Sequence, residues 1–219
     1  MRFELPPRGT FQKNSDVDPL EFYYKPLVGK LFSARLNIAL DLLKGRFHRL
    51  LEIGYGSGIL IPTLDRLTDE LHGVDLEPPP AGTEAALAKM GARLPIFYQA
   101  DVRTMPFANG FFDGVVALSI FEHLKPDALH AAMSEVARIL EPGGQFLIGC
   151  PAVHRAMNTA FRTIGFRGIE DHHFSSFSEI LSAGRPHFTV VARATLPQLA
   201  KHVIPLGWAP YNAVLLRRI

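Results

Sequence analysis

Between Leu50 and Gly58 the chain reads LLEIGYGSG, an apolar run that meets three glycines in five residues. The run has strand character, and ILIPTLDRL after it has helix character with Pro62 in the first turn. A strand, a glycine turn and a helix in that order is the unit from which α/β sheets are built. It repeats along the chain. LHGVDLE reads as a strand, TEAALAKMG as a helix ending at Gly91, and PIFYQAD as a third strand. FFDGVVALSI is a fourth, its continuous apolar character suited to a position covered on both faces. PDALHAAMSEVARILEPGG is the clearest helix: Pro126 opens it, Leu129, Ala132, Met133, Val136, Ile139 and Leu140 share one face, and Pro142-Gly143-Gly144 ends it. QFLIGCP is the fifth strand. Alternation of this kind predicts an α/β fold, with a parallel sheet and helices on both faces.

The flanks are less regular. Residues before Tyr23 are expected to form a loose arm, and a first helix from about Pro26 is expected to bury Leu27, Leu31, Ala34, Ile38 and Leu42 and to stop at Gly45. Beyond Pro151 a helix is expected in AMNTAFRTIG, irregular chain in FRGIEDHHFSS and a short helix in FSEILSAG. Two late strands, HFTVVARAT and YNAVLLRRI, close the sequence. One domain spanning 1–219 accounts for this: an arm over 1–25, a core over 26–150, a variable region over 151–186 and the final two strands over 187–219. A length of 219 residues suits one such domain better than two.

Charge narrows the partners. A formal net charge of +2, with Lys and Arg scattered, lacks the stripe of a dedicated nucleic-acid binder, so none is expected. The single cysteine, Cys150, excludes an internal disulfide, and MRFELPPRGT has no apolar leader segment, so a cytoplasmic location is expected. No apolar run is long enough to span a bilayer. Membrane contact is expected to be peripheral at most, through a first helix carrying Lys25, Lys30 and Arg35.

A glycine turn between strand and helix lets a ligand approach the backbone and offers free N–H groups to a polar or negative group. The dinucleotide fingerprint needs glycine at its first, third and sixth positions, and the sixth position from Gly54 is Ile59. That spacing favours a nucleoside carrying a carboxylate over a pyrophosphate; a purely structural loop is the other account. Asp75 ends the second strand about twenty residues on, where α/β nucleotide sites place a carboxylate against ribose hydroxyls. Asp101 ends the third strand and is able to accept a hydrogen bond from an adenine amino group. Ser119, Glu122 and His123 follow the fourth strand at the lip of the same crevice.

In order and spacing, LLEIGYGSG, GVDLE, QADVRTMPFANGFFDGVVALSIFEHL and RILEPGGQFLIGCP resemble the successive motifs of the class I S-adenosylmethionine-dependent methyltransferases. The resemblance covers roughly residues 50–151. It implies a Rossmann-like, mostly parallel seven-stranded sheet with the last strand antiparallel. It also implies S-adenosyl-L-methionine as cofactor. Glu52 and the loop Gly54, Tyr55, Gly56, Ser57 and Gly58 would then hold the methionine end, Asp75 and Leu76 the ribose side, Asp101 and Val102 the adenine, and Ser119 would lie near the sulfonium. The activity it implies is methyl transfer to O, N or C of a small molecule. A catalytically silent cofactor-binding module and an NAD-dependent oxidoreductase stand as alternatives, the second disfavoured by Ile59.

On the acceptor side, His123 is a candidate base or orienting group, against a plain structural role in its turn. In EDHHF, His172 and His173 are candidates to face the substrate, an exposed polar loop being the competing account. No metal site is expected from that cluster, because adjacent residues point apart on extended chain. Tyr23, Tyr24, Phe32, Met157 and Phe161 would line an apolar lid, unless they are ordinary core, and such a lid would suit an apolar or lipid-like acceptor.

Overall fold

The computed structural model describes residues 2–16, 18–152, 159, 173–197 and 208–219. Its strands are β1 (Phe47–Ile53), β2 (Thr68–Asp75), β3 (Ile96–Gln99), β4 (Phe112–Leu118), β5 (Leu140–Pro151), β6 (Phe188–Leu196) and β7 (Tyr211–Arg218). They form one sheet in the order β3-β2-β1-β4-β5-β7-β6. The first five run parallel, and β7 lies antiparallel to both its neighbours. The expected mostly parallel seven-stranded sheet is therefore what the chain forms.

Side chains alternate across this sheet as the two-residue period of a strand requires. Leu51 and Ile53 of β1, Val115 and Ala117 of β4, Phe146 and Ile148 of β5, and Val214 and Leu216 of β7 enter one core. Leu50, Val116, Leu147, Ala213 and Leu215 enter the other. Helices α4 (Pro126–Ile139) and α5 (Phe177–Gly184) cover the first face through Leu129, Met133, Val136, Phe177 and Ile180. Helices α1 (Val28–Leu40), α2 (Ile61–Asp65) and α3 (Thr83–Lys89) cover the second. Each large apolar side chain buried in these layers contributes about 1.5–3 kcal/mol. Helix α5 starts on a capping box, with the Ser176 N–H donating to Glu179 Oε2 at 2.7 Å and the Glu179 N–H donating to Ser176 Oγ at 3.4 Å.

Three expectations about the flanks change. Helix α1 buries Phe32, Leu36, Ala39 and Leu40 along with Ile38, whereas Leu27 and Leu31 are exposed. Two apolar rows run along this helix at similar spacing, and the row carrying the aromatic ring meets the sheet. Helix α4 stops at Ile139: Leu140 is already extended and pairs with Phe112, Gly143 takes a left-handed φ of 80°, and pairing resumes at Gln145 opposite Gly114. The arm is not loose along its length, since Phe3 and Phe11 are buried in the second core. The expected helix in AMNTAFRTIG, and Met157 and Phe161 of the expected lid, lie outside the described residues.

β4 sits on the side of β1 away from β2 and β3, so the direction of sheet growth reverses between β1 and β4. A crevice opens beyond the carboxyl ends of strands at such a reversal.

Candidate active site

The glycine loop leaves β1 and sits at this crevice. Gly54, Gly56 and Gly58 adopt φ of 75°, 53° and 83°, the left-handed region that a side chain makes costly. At Gly54 the reason is also spatial, because a Cβ there would collide with the side chain of Ile120. The loop does not present its glycine N–H groups to a ligand. Gly54 donates to the Val74 carbonyl at 2.7 Å, Gly56 to Asp75 Oδ2 at 2.9 Å and Gly58 to the Tyr55 carbonyl at 2.8 Å. Its contribution is close approach without side chains, and the charged contacts must come from elsewhere.

They come from the arm, α1, β1 and β2 around a cavity of about 190 Å³ that the loop walls. Glu52, Gly54, Tyr55, Gly56, Ser57, Asp75 and Ser119, all among the candidate cofactor residues, line it. Glu52 is 5% exposed, its Oε2 has no hydrogen-bond partner among the described residues, and burial together with the nearby Asp75 charge pushes its carboxyl well above the usual range. Tyr55 packs its ring against Phe97 and donates its hydroxyl to the Glu77 carbonyl at 2.7 Å. Ser119 holds a left-handed φ of 62° while its N–H donates to the Gly149 carbonyl at 2.6 Å, so the turn after β4 stores strain at the crevice. Gly58 lines neither this cavity nor its neighbour and serves the turn itself.

Asn14, Asp18 and Arg35 also line the cavity, and the sequence reading did not place them there. Asp18 is buried and accepts the N–H of Leu20 at 2.9 Å and of Asn14 at 3.4 Å; burial raises its carboxyl pKa, while N–H and hydroxyl bonds, two of them from Ser57, oppose that. Asn14 Nδ2 donates to Asp75 Oδ2 at 3.4 Å, so the arm closes over the loop. Arg35 was expected on a membrane-facing surface. Instead its guanidinium packs over Phe32 at 4.1 Å, donates to the Tyr23 hydroxyl at 3.2 Å and keeps a buried Nε without a partner. A cation inside the apolar face of α1 was the available signal.

A second cavity, of about 450 Å³, adjoins the first and shares Gly54, Asp75, Ile120 and His123 with it. Its walls are largely apolar, with Ile53, Val74, Leu76, Val102, Leu124 and Phe174 among them. Asp75 stands at the boundary, with its Oδ1 accepting the Glu77 N–H at 3.2 Å. Asp101 lines the second cavity but is gripped by Arg103, whose Nη2 donates to Oδ2 at 2.6 Å and whose Nε and backbone N–H donate to Oδ1 at 2.9 and 2.8 Å. Those bonds, foremost the guanidinium's, lower its pKa and leave it an ionised acceptor with lone pairs to share. The loop that follows is pinned by Arg138 of α4, whose guanidinium donates to the Met105 and Phe107 carbonyls, while Glu135 accepts the Met105 N–H at 2.6 Å. This is what the MPF segment does structurally: it fixes Asp101 and Val102 relative to the sheet.

His123 borders both cavities and stands where they meet. His173 lies behind it, with ring centroids 5.0 Å apart. His172 falls outside the described residues. Glu122, between Phe121 and His123 in a one-turn 3-10 helix, is fully buried, and burial lifts its carboxyl to about 8.

The two cavities together match one ligand chemistry. The smaller offers a cation, Arg35, and two acids, Asp18 and Glu52, which is the pairing an amino-acid zwitterion needs. The larger offers a largely apolar slot with two acceptors in its lining, Asp75 and Asp101, which suits a nucleoside. Glu52 Oε2 and Arg35 Nε are buried without a hydrogen-bond partner among the described residues.

Comparison with known proteins agrees on the fold. Residues 51–148 match the family described as methyltransferase domain. The chain is 32% identical over 128 residues to a ubiquinone biosynthesis O-methyltransferase of Vibrio cholerae, covering 57% of this chain and 51% of that protein. It is 32% identical over 142 residues to the sterol 4-C-methyltransferase strm-1 of Caenorhabditis elegans, covering 63% of this chain and 41% of that one. The chain thus spans about half the length, or less, of these curated relatives. Among solved structures, the N-methyltransferase NodS of Bradyrhizobium japonicum, in complex with S-adenosyl-L-homocysteine, superposes with a TM-score of 0.64 at 17% identity and 94% coverage of both chains.

Proposed function

We propose that this chain, whose residues 51–148 match the family described as methyltransferase domain, binds S-adenosylmethionine across the two cavities and methylates a small molecule. The observation that carries the reading is the pairing of one cation with two acids in the smaller cavity, which shares Asp75 with an apolar slot also lined by Asp101. In this reading Arg35 meets the carboxylate of the methionine end, Asp18 and Glu52 its ammonium, Asp75 the ribose hydroxyls, and Asp101 the adenine amino group. Tyr55 and Gly56 wall the tail, and Leu76 and Val102 flank the nucleoside.

When bound, the cofactor supplies a methyl group already activated on a sulfonium. The chain's own task is then alignment and exclusion of water. Ser119 and Ile120 follow β4 at the junction of the cavities, and His123 beside them is the side chain best placed to hold the acceptor or take its proton. The relatives' printed names describe an O-methyltransferase of ubiquinone biosynthesis and a sterol C-methyltransferase, which supports a small acceptor with apolar character for this chain. The oxidoreductase alternative finds no support in a loop whose glycine N–H groups are all bound internally. No helix among the described residues is long and apolar enough to cross a membrane. Turnover with labelled S-adenosylmethionine and a panel of phenolic, amine and sterol acceptors tests the reading. Methyl transfer to none of them, by a chain that binds the cofactor, would favour the silent binding module instead.

A further inference from the structure

Beside the junction of the two cavities, Glu122, His123 and His173 each place one ligand atom within 4.8 Å of the other two. They belong to segments fifty residues apart in sequence. Within the 3-10 turn Phe121–His123 a ligand atom of Glu122 and one of His123 come within 4.8 Å of each other. Residues 173–175 are fastened onto that turn: the N–H groups of Phe174 and Ser175 both donate to the Glu122 carbonyl, at 2.7 and 3.1 Å, and Ser175 Oγ donates to the Leu124 carbonyl at 2.6 Å. The two imidazole planes are inclined at 62° and do not stack.

Glu122 is the unusual member. It is 0% exposed, and neither carboxylate oxygen has a hydrogen-bond partner among the described residues. A carboxyl group taken from water without donors carries a large desolvation cost, and such groups are ordinarily paired or bound to a metal. Two imidazoles and one carboxylate form a donor set suited to zinc, iron, manganese or cobalt rather than to the oxygen-preferring magnesium or calcium. Bonds of about 2.1 Å in a tetrahedral shell separate ligand atoms by about 3.4 Å, so the gaps here, none wider than 4.8 Å, must close by at most about 1.4 Å. With the backbone of the two segments clamped together, that closure falls to the side-chain torsions.

We propose that Glu122, His123 and His173 form a binding site for one divalent transition-metal ion, with an open position toward the cavities that takes an oxygen of the methyl acceptor. The metal site stands on geometry alone, and only its use toward the acceptor rests on the methyltransferase reading. A hydroxyl bound at such an ion gives up its proton to water more readily, which prepares an oxygen nucleophile without a strong base. The acceptor class is then an alcohol, phenol or catechol.

The probe is Co2+ alone, added to the full chain after treatment with EDTA and dialysis, with no cofactor present. Expected are one Co2+ per chain by metal analysis, visible d–d absorption of imidazole coordination, and displacement by Zn2+. Glu122→Gln and His173→Ala, each checked for folding by circular dichroism, should weaken Co2+ binding by about tenfold or more. His130→Ala, at an exposed position on α4, should leave it unchanged. Failure of the wild-type chain to take up stoichiometric Co2+ overturns the site whatever the variants do, and so does uptake that survives both substitutions. Titration with S-adenosylhomocysteine in EDTA separates the two claims: Co2+ uptake without cofactor binding refutes the methyltransferase reading only, and cofactor binding without Co2+ uptake refutes the metal site only.

Discussion

Replacing Arg35 with methionine probes the tail end of the site. The substitution keeps an unbranched stem of similar length against Phe32, and removes the guanidinium that packs 5.7 Å from the rings of Tyr23 and Tyr211. Little packing is lost. What disappears is a cation whose Nε is buried and unpartnered and whose Nη2 is already held by the Tyr23 hydroxyl at 3.2 Å, a donor preset for one more acceptor. Hydrogen bonds to charged groups contribute about 1.5–3 kcal/mol, so S-adenosylhomocysteine should bind about 10–150-fold more weakly. The useful control is 5′-methylthioadenosine, which keeps the nucleoside and lacks the amino-acid tail. Isothermal titration of both ligands into both proteins should show the loss for the first and no change for the second. Equal loss for both would mean that Arg35 acts through the fold. No loss for either would mean that the tail lies elsewhere, and the charge pairing drawn around this cavity would be wrong.

Other substitutions test neighbouring steps. Asp75→Ala removes the acceptor for the Gly56 and Asn14 donors together with the proposed ribose contact, and should weaken S-adenosylhomocysteine by about 1–3 kcal/mol; unchanged affinity would show the ribose to be misplaced. Gly54→Ala forces a side chain into left-handed backbone, at about 1–2 kcal/mol, and against Ile120, so the melting temperature should fall by roughly 2–8 °C in thermal denaturation and cofactor affinity should drop with it. Glu122 carries a pH signature. Its carboxyl is raised from 4.5 to about 8 by burial, so the folded chain holds a proton that the unfolded chain has released. Its contribution to stability is full below about pH 4.5 and is lost as pH rises towards 8, on the order of a few kcal/mol across that window. Chemical denaturation in EDTA should show this decline in the wild type and a flatter profile in Glu122→Gln; parallel profiles would show that Glu122 is not held protonated.

Local patterns carried most of the fold. The strand–turn–helix alternation and the apolar face of α4 are short-range features, and α5 forms over the very residues FSEILSAG that read as a helix. The sheet order was accessible only through the family resemblance, because no periodicity states which side of β1 the fourth strand will take. Among site residues, those at strand ends were legible since topology gathers them at one edge: Glu52, Asp75 and Ser119 meet around one cavity. Residues brought in by long-range packing were not. Asp18 reaches the loop through an arm that packs Phe3 and Phe11 into the core, and Arg35, although set in the apolar face of α1, meets the cavity only once that helix has packed on the sheet. The N–H groups of the glycine loop were credited to a ligand, although Val74, Asp75 and Tyr55 take them. The meeting of Glu122 with His173 has no local signature at all, since it depends on two backbone hydrogen bonds across some fifty residues.

The central claim is that the paired cavities hold S-adenosylmethionine. Isothermal titration of the wild-type chain with S-adenosylhomocysteine tests it without any knowledge of the acceptor. One site per chain with micromolar affinity or better, and no heat with NAD under the same conditions, is the predicted result. No detectable binding of S-adenosylhomocysteine or S-adenosylmethionine, or tighter binding of NAD, would contradict it.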